Sequence, residues 1–202
     1  MAAILTSLRN TILAGLALAV VLLIIVGLVT GGYGLTFGKG FWLFLVRWLH
    51  VLSGILWIGL LYYFNFVQIP NMAKIPDEQK PAVSKVIAPA ALFWFRWAAM
   101  STITFGILLA LLQEYFVNAV LLGITSKVPN HTMIGIGMWL GTIMWFNVWF
   151  VIWPNQKKAL GIVEASADEK KAAGRTAMLF SRTNTMLSLP MLYAMIATQT
   201  AY

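Results

Sequence analysis

The chain contains no cysteine. That excludes disulfides, iron–sulfur clusters, thiolate zinc sites and the thioether attachment of a c-type haem. Acidic residues number six and histidines two, so groups for acid–base chemistry are few. Neither an HExxH metal motif nor a P-loop lysine motif occurs. Gly135, Gly137 and Gly141 are spaced G-x-G-x-x-x-G, which is not a dinucleotide fingerprint. They lie in an apolar run, where Gly137 and Gly141 read as a small-xxx-small helix contact. No internal repeat, low-complexity tract or second soluble domain is visible.

What the chain does have is apolar length. Hydrophobic residues make up 60% of it, charged residues 10%, and nine residues are tryptophan. A soluble domain of 202 residues cannot bury that much apolar surface, so part of the solvent is lipid. Runs of the roughly 20 residues needed to cross a bilayer fall at about 12–30, 42–67, 91–113, 132–153 and 179–200. None alternates with a period of two, so the expected fold is all-α: a polytopic membrane bundle of five transmembrane helices. The first run follows Arg9 and lacks an A-x-A cleavage site, so it reads as a retained anchor rather than a signal peptide.

The net charge of +8 follows topology. If the N-terminus is cytoplasmic, one side holds Arg9, Lys74, Lys80, Lys85, Lys157, Lys158, Lys170, Lys171, Arg175 and Arg182. The other side holds only Lys39 and Lys127. This positive-inside bias places the N-terminus in and the C-terminus out, and it removes any need for a nucleic-acid partner. Ser166-Ala167-Asp168-Glu169 reads as a capping box opening a helix that continues into the last run.

The stretch "RWLHVLSGILWIGLLYYFNF" carries Arg47 and His50 within an apolar run. Steps of three and four from Arg47 reach His50, Gly54, Trp57, Leu61, Asn65 and Gln68, which defines one face. Only that face collects polar groups, so it should turn into the bundle. His50 lies eight residues beyond Trp42, about 12 Å deep at 1.5 Å per residue. Ionisable groups at such depth usually serve a site with a partner. A neutral imidazole binds metal, Gly54 leaves room for a flat cofactor, and Arg47 is placed to meet an anionic group such as a haem propionate. The alternative is a structural histidine bonded to a carbonyl or hydroxyl on a neighbouring helix, with Arg47 reaching outward. Spacing alone leaves both open. A second polar set, Asn65, Gln68, Arg96, Asn147, Asn155, Arg182 and Asn184, reads as interhelical hydrogen bonding plus arginines reaching headgroups.

The stretches "RWLHVLSGILWIG", "GTIMWFNVWFVIWPNQKK" and "SRTNTMLSLPMLYAM" together resemble the membrane domain known as the urate oxidase N-terminal domain. The resemblance covers roughly residues 41–202, and residues 1–40 form an additional N-terminal anchor and outer loop. It implies a bacterial cytoplasmic (inner) membrane protein related to urate hydroxylation. The "HVLSGILWIG" pattern is also similar to membrane proteins in which a histidine at this position binds b-type haem. That implies His50 as the metal ligand, with Arg47 and Gly54 beside the cofactor. The cytochrome c domain of larger family members has no counterpart before Tyr202, so a haem-b redox protein would pass electrons to a separate carrier such as a c-type cytochrome. The other reading is a non-catalytic subunit of a larger, respiratory-type membrane complex. No catalytic residue is assigned. His131 opens the fourth run about 12 Å from the depth of His50, whereas Met138 lies closer to it.

Overall fold

The computed structural model describes residues 2–31 and 36–200, and among these no strand occurs. The chain divides into two units, Met1–Leu45 and Val46–Tyr202. The first unit contains α1, Leu8–Val29, whose start is capped by Ser7 Oγ accepting from the Asn10 amide. Gly27 is its one buried residue, while Leu18 and Leu28 each expose 70% of their surface. Such a helix is stable in lipid and not in water.

The second unit is built from α2, Lys39–Lys74, whose first residues precede the unit boundary; α3, Lys80–Leu112; α4, Phe116–Val120; α5, Pro129–Ala159; and α6, Ala167–Thr200. Four helices, α1, α2, α3 and α5, are long and apolar enough to cross a membrane. The fifth expected run is helical throughout, but α6 does not reach that apolar density. Its inward face explains why: Ser181, Asn184 and Ser188 are all buried.

This unit exposes large apolar side chains and buries polar ones beside an apolar core. Phe66, Trp94, Phe150 and Leu189 are exposed, whereas Asn65, Asn147, Asn184 and Ser188 are buried. The inner core packs Trp57, Leu61, Phe64, Phe95, Met144 and Val148. Around it, side-chain hydrogen bonds tie the helices. Asn184 Nδ2 donates to the Met144 carbonyl at 2.9 Å, and its Oδ1 accepts from Asn147 Nδ2 at 2.8 Å. Asn65 Nδ2 donates to Ser181 Oγ at 2.7 Å and to the Leu61 carbonyl at 2.9 Å. Tyr62 Oη and Ser188 Oγ are 2.9 Å apart. Ser188 donates to the Thr185 carbonyl, so Tyr62 supplies the proton between the two hydroxyls. The interhelical reading of this polar set therefore holds for its three buried asparagines.

Three helices widen into π segments at Tyr63–Gln68, Val83–Ile87 and Asn147–Ile152. Each ends two residues before a proline: Pro70, Pro89 and Pro154. A proline lacks the amide hydrogen and its ring clashes with the carbonyl four residues back. The wider turn relieves that clash without ending the helix. In two cases the residue after the proline adds a donor, Asn71 to the Val67 carbonyl at 2.7 Å and Asn155 to the Val151 carbonyl at 2.8 Å.

The capping box forms as read from sequence. Glu169 Oε2 accepts from the Ser166 amide at 2.8 Å, and Ser166 Oγ accepts from the Glu169 amide at 3.3 Å. These bonds to Ser166 hold the Glu169 carboxyl below its ordinary range. Its contribution is therefore present above the unfolded value and is lost as pH falls through the folded one.

Replacing Asn184 with alanine removes the acceptor of the buried Asn147 amide and leaves a void beside α5. Thermal unfolding in mild detergent should show a loss of roughly 1–3 kcal/mol. Met186→Ala, at a residue 64% exposed on the same helix, should change stability by about 0.5 kcal/mol or less. Equal stabilities of the two variants would contradict the network's role.

Candidate functional site

The predicted inward face of α2 is the observed one. Trp57, Leu61 and Asn65 are buried, while His50, Gly54 and Gln68 are half-buried. Arg47, at the outer end of the face, is exposed. The upper part of the face opens on a cavity of about 1030 Å³ within the second unit, lined by Arg47, His50, Gly54, Thr102, Gly106 and Met138 among others. That volume lies at the top of the roughly 300–1,000 Å³ found for small-molecule and cofactor sites. The lining is largely apolar, with polar groups at Gln113, Tyr115, Asn130, His131 and Gln199. It contains no aspartate or glutamate.

His50 is fixed from α3. Its Nδ1 lies 2.9 Å from the Thr102 carbonyl oxygen. A carbonyl only accepts, so Nδ1 carries a proton, and in the neutral imidazole Nε2 keeps its lone pair. The hydrogen bond expected of a structural histidine is thus present, but it uses one nitrogen and leaves the other. This is the arrangement by which an outer-shell carbonyl sets the tautomer of a metal-binding histidine. Gly106 makes the approach possible: a Cβ there would stand 3.0 Å from His50 Cε1 and 3.2 Å from Nδ1. A Cβ at Gly54 would meet only Thr102 Cγ2 at 3.9 Å, and one at Gly141, also in the lining, would meet nothing within 4 Å.

The mouth holds the second histidine. His131 Nδ1 is 2.8 Å from Ser126 Oγ, and its ring stacks on Tyr115 with centroids 6.3 Å apart and 28° between planes. Burial raises the Tyr115 phenol above its ordinary range, and the charge of Arg47 acts in the opposite direction. Arg47, Tyr115 and His131 therefore share one end of the cavity. The sequence argument placed His131 and His50 at different depths. The structure puts both on one cavity, with His131 engaged at its mouth. Thr102 and Gly106 carried no signal in the sequence, because their roles arise from the packing of α3 on α2, and neither did Tyr115, whose ring meets His131 of α5. Among the described residues no group of three or more His, Cys, Asp or Glu is placed to hold a metal ion by itself.

A chain whose described residues form helices and no strand, with membrane-length apolar helices, polar contacts turned inward and a large cavity, belongs to the class of helical membrane bundles. The model of one family, described as urate oxidase N-terminal, matches residues 128–202. This match supports the family resemblance over α5 and α6, which contain two of the three recognised stretches. Arg47 and His50 lie outside the matched segment. No curated protein and no solved structure matches the chain.

Gly106→Ala should displace the His50 ring from the Thr102 carbonyl and lower the unfolding temperature. Gly54→Ala and Gly141→Ala, with ordinary contacts or open space, should leave it unchanged or raised, since alanine favours helix. A Gly106→Ala protein as stable as wild type would show that the ring is not held as described.

Proposed function

We propose that the chain is a multi-pass membrane redox protein of the urate oxidase N-terminal type, with a b-type haem in the cavity and His50 Nε2 as an iron ligand. In this reading α6 supplies a fifth span, the N-terminus is cytoplasmic, and the membrane is the bacterial inner one. The observation that carries it is the His50 ring, with Nδ1 committed to Thr102 and Nε2 left as a lone pair on an apolar cavity.

The residues present fit such a group. One imidazole nitrogen is the usual protein donor to haem iron. Gly106 lets the ring lie close against α3. The indole nitrogen of Trp57, in the cavity lining, is buried without a partner. Arg47, exposed at the rim, is placed to pair with a propionate and leave the iron to His50. The Thr102 carbonyl strengthens the imidazole as a donor and holds its orientation. Tyr115 and His131 close the mouth on the side of Arg47. When bound, the haem would supply one-electron transfer between a small-molecule donor and a separate carrier such as a c-type cytochrome.

One feature favours the second reading, a non-catalytic subunit of a larger membrane complex. The cavity offers no carboxylate for proton transfer, so the chain's own groups for oxidising a substrate are few.

Titrating haem into haem-depleted protein separates the two. Wild type should develop a Soret band saturating at one haem per chain. His50→Ala should not, and Met186→Ala, exposed and outside the cavity lining, should behave as wild type. Arg47→Gln should still bind, with a shifted potential or weaker affinity. A wild-type protein that gives no saturable band would leave the subunit reading in place.

A further inference from the structure

Away from the cavity, α3 carries a buried cation with no counter-charge. Arg96 exposes only 9% of its surface. Its guanidinium carbon stands 3.3 Å from the centre of the Trp153 ring on α5, so it does not reach outward as an arginine near a helix end usually does. Its Nη1 is buried without a hydrogen-bond partner. Among the described residues no carboxylate forms an ion pair with it.

The neighbouring donors are also unanswered. Trp149 lies one turn before Trp153, and its ring meets the edge of Trp97, the residue after Arg96, at 5.6 Å. Trp149 Nε1 is buried and unpaired, as is Trp145 Nε1 a further turn back. Lys157 brings a second cation, its Nζ 5.7 Å from the Trp153 ring centre. The unpaired acceptor on this stretch of α5 is Gln156 Oε1, a neutral amide that cannot balance a charge. A ring face softens the cost of burying a guanidinium, but an unpaired charge out of water remains expensive. A buried guanidinium, the unpaired Trp149 N–H one turn from its stacking partner, a second cation and no anion describe a site whose missing member is an anion.

We propose that Arg96, Trp149 and Lys157 form a binding site for a phosphate-bearing anion at the contact of α3 with α5. The phosphate belongs either to the headgroup of an anionic phospholipid or to free phosphate. Basic pockets between membrane helices recognise such headgroups, and Trp97, 50% exposed, offers an aromatic face beside which an acyl chain would lie. This site does not depend on haem in the cavity.

The test is the unfolding temperature of lipid-depleted full-length protein in neutral detergent. The additions are phosphatidylglycerol, phosphatidylcholine at the same mole fraction, or inorganic phosphate. Phosphatidylglycerol should raise Tm by roughly 5 °C or more at saturation, and phosphatidylcholine clearly less. A rise with inorganic phosphate alone would assign the same site to the free ion. Arg96→Gln should lose the response. Trp149→Phe, which keeps the ring and removes the N–H, should shrink it. The proposal is overturned if neither anion moves the wild type, if phosphatidylcholine does as well as phosphatidylglycerol, or if Trp149→Phe and any folded Arg96→Gln respond as wild type does. The wild-type and Trp149→Phe arms decide the matter even if Arg96→Gln does not fold.

Discussion

A polar group withdrawn from water must find its partner inside the protein, and lipid makes that demand without relief. The second unit is organised around it. Asn184 bridges to Met144 and Asn147, Asn65 to Ser181, and Tyr62 to Ser188. Many large apolar side chains outside the core, Phe66, Trp94, Phe150 and Leu189 among them, face outward. With few hydrophobic forces to drive helices together in lipid, such contacts and close packing determine which faces meet. The same constraint bears on the widened turns before Pro70 and Pro154, where Asn71 and Asn155 donate to the Val67 and Val151 carbonyls.

Against that background the incompletely satisfied groups stand out. His50 has Nδ1 bonded to the Thr102 carbonyl and lines a cavity. Arg96 has a buried, unpaired nitrogen and no opposing charge. The two sites differ in kind. The first offers a lone pair in an apolar chamber with a basic rim, which suits an iron-bearing macrocycle. The second offers donors and cations, which suits an anion. A chain with few acidic residues has little of its own to answer Arg96, and its hydrogen-bonding deficit is met most simply by a phosphate.

Much of this was legible from local pattern. The helical class followed from apolar runs without alternation, and the inward face of α2 from the single stripe that joins His50 to Asn65. The capping box at Ser166–Glu169 is a contact within one turn, so sequence spacing alone locates it. Other features needed the third dimension. Nothing in the sequence of α3 marks the Thr102 carbonyl or Gly106 as partners of His50, since any helix has carbonyls and many have glycines. Arg96 read as a side chain reaching for headgroups; its stacking on Trp153 depends on how α3 and α5 cross. The depth argument separated His131 from His50 by counting residues along straight helices, whereas a cavity can span both levels. The last run was expected as a membrane span on length, yet its polar face, needed for the network, lowers its apolar density.

The central proposal is that the cavity beside His50 holds a b-type haem. The most direct measurement is a pyridine haemochrome assay on wild-type protein purified in mild detergent from haem-replete cells. The account predicts a b-type spectrum at about one haem per chain, and colourless protein at full yield would contradict it.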